Sequence, residues 1–556
     1  MSNIQTGWVK PPTEIGGLDH LGVQAPCIQI YGQLLPGITN VTDRARYYSF
    51  YTWLLKKFDD HGWRTQEEII DKLRKADCLF SLISIRHGLL SDNYSEHAGS
   101  AVGSNTLLPA LESLGTDSVL VLSDFTHREE GKVDRYFKNP YGGLGQYYFG
   151  ALWELKFLGG ESVVSARVVK EAGVPLAKAM DAGNINGSLF IDVIERDEVS
   201  LKLLDQLSSF CHCQLKASEK EVNGIIRVLQ TGSLTTEGEK LISLDDVNSA
   251  IIRSSSLALL IFLSSYSNGE NQKLSVENFR GMVYSLSDYA GTQLNLTENL
   301  QKSARKWQVY QRNELLSIAL QGLFFVLLKR ADLSNIKFKN TSELCHWFWQ
   351  QDLGVEIIKD TDPQTLENFI NDNVDSLPSF NEWLHQDHEI QLMESVVRDT
   401  SRKSLTNIDL KKIAMNSLKI LVAVLGRSEN QFAYEYIEFR PDYLQLYPVN
   451  LLSVQEDLEQ LKNTKVEDGL FRFTLKNCLD AHLHVAMRKL RQQGKNTSRF
   501  EISENGINIK SIPVATHTSP RFNQSIQILK DLGLLQVQGN AVMPSEKGKA
   551  FLEAVS

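Results

Sequence analysis

From Thr518 to Leu552 the chain reads TSPRFNQSIQILKDLGLLQVQGNAVMPSEKGKAFL, and how this stretch is parsed decides the fold class. Thr518-Ser519-Pro520 opens a helix, because a hydroxyl caps the first N–H groups and proline already holds the φ of a first helical turn. Phe522, Ile526, Leu529 and Leu532 recur at helical spacing as one apolar stripe, and Gly533 ends it. Leu534–Val537 then predicts a strand, Gly539-Asn540 a turn, Ala541–Met543 the returning strand, and Ser545 the cap of a last helix carrying Phe551 and Leu552. Working outward, Leu475–Gln492 predicts another helix, with Leu479, Leu483, Ala486 and Leu490 on its apolar face. Arg488, Lys489 and Arg491 sit in its last turn, where cations suit the helix dipole. Short extended pieces, Phe500–Ile502 and Ile507–Ile509, flank a turn at Glu504-Asn505-Gly506.

The order helix, hairpin, helix resembles the closing half of winged-helix domains. In a winged helix that reads DNA, the helix before the wing enters the major groove. Its polar side chains here are Arg521, Asn523, Gln524, Gln527 and Lys530, all compatible with contacts to bases or phosphates. With Arg488, Lys489 and Arg491 they form the candidate DNA-binding set. Such domains also dock proteins, and the wing tip Gln538-Gly539-Asn540 carries no charge for phosphate.

Charge supports one special end. Net charge is −9, yet residues 471–556 hold 12 Lys/Arg against 6 Asp/Glu, a local +6 that leaves −15 on the rest. A basic end on an acidic body is the distribution expected if that end alone meets nucleic acid or an acidic partner. At 556 residues the chain is too long for one core. Its 42% apolar and 22% charged residues exclude wholesale disorder. The start, Met1-Ser2-Asn3-Ile4-Gln5, has no basic and apolar signal pattern, and the apolar runs Leu257–Leu263 and Leu315–Leu328 are too short to span a bilayer. The expectation is a cytoplasmic chain with no membrane partner, whose six cysteines are thiols.

Helical periodicity dominates the remainder. Residues 1–40 are rich in Gly and Pro and read as an extended lead-in with one strand near Ile28–Tyr31. Thr42 caps a helix from Asp43 to about Phe58, with Tyr47, Tyr51, Leu54, Leu55 and Phe58 on one face. Further helices are predicted at 66–90, 105–115, 175–182, 199–209, 218–231, 244–267, 275–287, 300–331, 341–351, 363–372, 379–398, 406–425 and 451–462, and Val119–Asp124 is strand-like. The expected fold class is mainly α, a multidomain helical body with a small C-terminal winged-helix (α+β) domain. The segments are 1–160, 161–295, 296–470 and 471–556.

Few constellations point to chemistry. Cys211-His212-Cys213 is the densest set of soft ligands, the kind zinc takes, but four ligands are needed and the sequence does not say which residues complete them. Cys478, His482, His484, Cys345 and His346 are the candidates. His385 and His388 would share a helix face beside Asp387 and Glu389, an arrangement for metal-assisted hydrolysis or simply a polar face. Arg44, Arg46, Tyr47 and Tyr48 join two guanidinium groups to two aromatics, which suits phosphate or partner contact, or a core with paired arginines. Gly142-Gly143-Leu144-Gly145 lacks the Gly-Lys-Ser/Thr of a P-loop and reads as a tight turn. No Gly-x-Ser-x-Gly, His-Glu-x-x-His or kinase signature is present. No catalytic residue and no cofactor are therefore expected, zinc being the only candidate.

Three phrases, Leu35–Tyr51, Gly142–Gly150 and Phe210-Cys-His-Cys213, resemble a group of poorly characterised proteins encoded in bacterial anti-phage defence islands and mobile elements. The resemblance implies an accessory or sensor subunit working beside a separate ATPase, helicase or nuclease. The expected function is a non-enzymatic, DNA-associated subunit of an anti-phage or anti-plasmid complex. The alternatives are a metal-dependent nuclease and a protein-docking scaffold that bridges an ATPase.

Overall fold

A computed structural model describes residues 19–126, 139–231, 244–267, 272–359, 365–430, 447–494 and 496–555. The first part of the Gly/Pro-rich lead-in lies outside the described residues. Among the described residues, twenty-three α-helices, α1 (Gln24–Leu34) to α23 (Glu546–Val555), and four two-stranded sheets make the chain mostly helical. Two compact units divide it: residues 32–274, 297–300 and 520–556 form one, and residues 1–31, 275–296 and 301–519 the other. Both are built from non-consecutive segments.

In the first unit α2 (Arg46–His61) is central, and every residue from Arg46 to Leu55 is buried. Its periodicity promised one apolar face; the opposite side is covered as well because aromatic neighbours surround it. Phe50 stacks on Phe80 of α3 (Gln66–Leu89), with ring centroids 3.9 Å apart. Tyr47 lies 4.7 Å from Tyr148, and Trp53 5.1 Å from Phe210. A capping box between Thr65 and Glu68 starts α3. The glycine turn expected at Gly142–Gly145 wraps Asp77: Tyr51 donates to one carboxylate oxygen at 2.6 Å and the Gly143 N–H to the other at 2.8 Å. A Cβ on Gly142, whose φ is +61°, would lie 2.2 Å from that carboxylate, so only glycine fits. The segments Leu35–Tyr51, Gly142–Gly150 and Phe210–Cys213 thus meet in one core.

The C-terminal segment of this unit follows its sequence pattern except at its start, where no hydroxyl caps the helix: Arg521, at φ +60° and with no side-chain cap bond, precedes it. Helix α22 (Phe522–Asp531) is followed by β7 (Leu535–Gln538), paired antiparallel with β8 (Ala541–Pro544) through Gln538↔Ala541. The Ser545 hydroxyl then accepts the Gly548 N–H at 3.0 Å and caps α23. Helix α23 packs on α11 (Leu244–Ser264), with Gly548 at the approach to Ile261.

In the second unit the run Leu315–Leu328 of α13 (Glu298–Ser334) is buried except at the half-buried Gln321. A helix apolar on all sides belongs at the centre of a core. Gly322 brings α13 close to Val396 of α17 (Glu389–Thr400) and Ser417 of α18 (Asn407–Gly426). Two buried arginines of this unit are bonded. Arg312 donates to the Val424 and Asn430 carbonyls, and Glu389 accepts from Tyr284 at 2.9 Å and pairs with Arg427 at 2.7 Å. The hairpin β5 (Phe500–Ser503)/β6 (Gly506–Ile509) also lies here, in a sheet separate from β7–β8. Both hairpins of the expected C-terminal module therefore exist, with residues 471–519 in one unit and 520–556 in the other. No described helix is long and apolar enough to cross a membrane.

Three predicted elements are corrected. The helix expected from Asp43 under a Thr42 cap starts at Arg46, with Ala45 before it and no side-chain cap bond. The strand near Ile28–Tyr31 is helix α1, because the Asp19 carboxylate accepts N–H bonds from Leu21, Gly22, Val23, Gln24 and Ala25 and so caps the helix start. The helix predicted at 379–398 begins only at Glu389. Residues 379–388 are turns held by bonds such as Trp383 Nε1 to the Asp288 carbonyl at 2.9 Å.

Candidate metal centre

The functional constellation with the clearest geometry lies in the first unit, where three short pieces of backbone converge. His87 stands in the last turn of α3, and His97 in α4 (Tyr94–Ala98), a five-residue helix begun by the Asn93 side chain. Cys211 is the break between the 3-10 turns Ser208–Phe210 and His212–Ala217, and Cys213 is the second residue of the latter. Cys211 itself is extended, at φ −55° and ψ 147°, which sends the two cysteines toward the histidines and His212 the other way.

The four donor atoms lie within 4.8 Å of one another. His87 Nδ1 and His97 Nδ1 are 3.2 Å apart, Cys211 Sγ is 3.5 Å from His97 Nδ1, and Cys213 Sγ is 3.5 Å from His87 Nδ1. Zinc bonds of about 2.3 Å to sulfur and about 2.05 Å to nitrogen give a tetrahedron with N···N edges of about 3.3 Å and S···N edges of about 3.6 Å. The three separations given, one N···N and two S···N edges, match these lengths. Among the described residues this is the one group of three or more His, Cys, Asp or Glu side chains so placed. The Cys211 thiol is lowered to about 7, first by its hydrogen bond with Cys213, against the effect of burial, and Cys213 is raised in return.

Neighbouring bonds brace the ligands. Arg46, paired with the buried Glu221, donates to the Cys211 carbonyl. Arg86, one residue before His87, forms a two-pronged contact with Asp205 at 2.9 and 3.2 Å. Lys216 bonds Glu96, next to His97, at 2.8 Å.

The sequence named half of this set. His212 is not part of it: its ring is buried between Tyr47 and Phe80, with centroids 4.8 and 5.0 Å away. His385 and His388 do not share a helix face. His388 is the buried cap of α17, with Nδ1 accepting from Ile390 N–H at 3.2 Å and Nε2 facing the Phe380 carbonyl. His385 Nδ1 accepts from Asp387 N–H at 3.1 Å. The other suggested ligands have different roles. Cys345 lies against Thr474 Oγ1, Cys478 bonds the Leu320 carbonyl, and His482 bridges the His20 carbonyl and Arg499 N–H. His87 and His97 were missed because they lie more than a hundred residues before the cysteines. The only local signal was their placement around the predicted end of a helix.

The candidate DNA-binding residues are dispersed. Lys489 is buried and donates to the Asp19 carbonyl, Arg488 is half-buried, and Arg491 is exposed. Arg521 donates to the Leu35 carbonyl at 2.8 Å, Gln524 to the Asn40 carbonyl and the Asp43 carboxylate, and Gln527 to Asp531. Asn523 is exposed and Lys530 half-buried. Arg44, Arg46, Tyr47 and Tyr48 are all interior groups, so phosphate has no direct path to them. No family model, no curated protein and no solved structure matches this chain.

Proposed function

We propose that the chain is a zinc-binding helical protein, with His87, His97, Cys211 and Cys213 as a structural Cys2His2 site. The observation that carries the reading is the set of 3.2 and 3.5 Å donor separations, which are tetrahedral edge lengths. Four protein ligands leave no open position for water on a tetrahedral ion, so the site stabilises structure rather than generating a nucleophile. Its role is to clamp the end of α3, the short α4 and the Cys211–Cys213 turn, three pieces with little regular structure of their own. Cobalt(II) titration of the metal-free chain tests this. Tetrahedral d–d absorption with thiolate charge transfer, absent from Cys213→Ser, supports the site; octahedral spectra identical in both proteins reject it.

A second reading concerns nucleic acid. The +6 charge of residues 471–556 and the order α22, β7–β8, α23 favour a DNA-associated, winged-helix-like end. Lys530 is the lysine of α22; it is half-buried, its pKa lowered by burial and by nearby Lys273 and Lys216 against the pull of Asp531. The defence-island resemblance extends this reading to a non-enzymatic subunit beside an ATPase, helicase or nuclease. DNA binding across a salt series, with Lys530→Ala, decides it. A steep salt slope reduced in the variant supports phosphate contact, and no binding at low salt makes this end a protein-docking surface.

A further inference from the structure

The metal ligands sit two bonds away from the C-terminal helix α22. Arg44 is the link. Its Nη2 donates to the Glu96 carbonyl at 2.8 Å and its Nη1 to the Gly99 carbonyl at 3.0 Å, so it grips the end of the helix that carries His97. Its Nε donates to Asp531 Oδ2, the last residue of α22, at 2.9 Å. The same carboxylate accepts the Ala45 N–H at 3.0 Å and, on its other oxygen, Gln527 Nε2 at 2.8 Å. Helix α22 also packs directly on the His212–Ala217 turn, which begins between the two cysteines.

This placement answers an oddity of the sequence. An acid at the last position of a helix opposes the dipole and is unfavourable there unless a cation meets it. Asp531 and Arg44 are both almost wholly buried, so each needs the other, and Arg44 also needs the two α4 carbonyls to satisfy its remaining nitrogens. Those carbonyls exist in the required place only while α4 is formed. A five-residue helix does not persist alone. Besides its packing on α3 and on the His212–Ala217 turn, its supports are the Asn93 cap, the Lys216–Glu96 pair and the His97 ligand.

We propose that the metal centre sets the position of α22, through the backbone of α4 and the Arg44–Asp531 pair, so that metal occupancy is communicated to the C-terminal segment. This rests on the reading of His87, His97, Cys211 and Cys213 as a metal site. With the ion bound, α4 is fixed, Arg44 is fully bonded and α22 is docked. With the ion removed, α4 frays, Arg44 loses two acceptors, and the buried charge pair opens toward water. Helix α23 keeps its own packing on α11, so the effect is local to α22.

Hydrogen–deuterium exchange on the full chain, zinc-loaded and after chelation, tests the proposal, with bound zinc measured on the same samples. The expected result is about one zinc per chain and at least a tenfold faster exchange in residues 522–531 after chelation, with α18 unchanged. Asp531→Asn keeps the four ligands, so it should bind zinc normally yet show the fast exchange even when loaded. Arg44→Lys should behave the same way and serves if Asp531→Asn fails to fold. Stoichiometric zinc with identical exchange at 522–531 in loaded and chelated wild type overturns the coupling while leaving the metal site standing. Absence of zinc from a zinc-saturated, folded chain overturns both.

Discussion

Replacing His517 with glutamine should destabilise the unit that contains it, and the loss should depend on pH. Both imidazole nitrogens of His517 face carboxylates: Nδ1 is 3.2 Å from Glu314 Oε1 and Nε2 is 3.0 Å from Glu394 Oε2. Two acceptors require two N–H donors, so the bound form is imidazolium. Arg280 faces the same carboxylates at 3.8 and 3.5 Å, and Thr518 donates to Glu314 through N–H and hydroxyl. The cluster is therefore two anions and two cations around a wholly buried Glu314. Burial pushes the His517 pKa down, but the bonds to Glu314 and Glu394 together outweigh it and the net shift is upward. Removing one partner from a buried charge pair costs about 3–5 kcal/mol. The lower end, about 3 kcal/mol, applies because Glu394 retains 26% side-chain exposure. A group whose folded pKa is raised contributes fully below its unfolded value, near 6.5, and less as pH climbs through the folded value. Urea unfolding of wild type and His517→Gln at pH 6 and pH 9 is the assay. The difference should be about 3 kcal/mol at pH 6 and shrink to under about 1 kcal/mol at pH 9. A variant within about 0.5 kcal/mol of wild type at pH 6, or one equally weakened at both pH values, would refute the imidazolium reasoning.

Other substitutions test the packing. A Cβ on Gly281 would lie 2.1 Å from Trp383 Cε3, so Gly281→Ala should lose about 1–3 kcal/mol by overpacking, seen as a lower urea midpoint with unchanged slope. Phe80→Ala removes the ring stacked 3.9 Å from Phe50 and should cost about 3–5 kcal/mol in the same assay. Thr406→Ala removes one half of the capping box with Asp409 and should cost only about 1 kcal/mol, leaving the helix in place by circular dichroism.

Periodicity made most of the fold legible. The helices near 66–90, 218–231, 341–351 and 406–425, and the hairpin at 535–544, stand where apolar spacing and turn residues put them. Those signals are local, within a window of one element. Elements whose boundary depends on a distant side chain were not legible in the same way. Helix α1 starts because Asp19 reaches five backbone N–H groups, and the turns at 379–388 exist because Trp383 bonds Asp288. The site follows the same division. Cys211 and Cys213 stood out as a ligand-rich pair, but His212 was grouped with them because spacing cannot show that the chain breaks at Cys211 and turns the ring into the aromatic core. His87 and His97 became visible as ligands only when the fold placed α3 and α4 beside that turn. Arg44, Arg46, Tyr47 and Tyr48 show the converse: residue types that suit an exposed phosphate site are equally those of a buried aromatic core with matched guanidinium groups.

The most direct test of the zinc site is metal content by mass spectrometry of the purified, folded chain after saturation with zinc and extensive dialysis. The zinc site predicts close to one zinc per chain in wild type and in His388→Ala, and none in Cys211→Ser/Cys213→Ser. A folded wild-type chain that retains no metal, or a double serine variant that keeps its zinc, would contradict it.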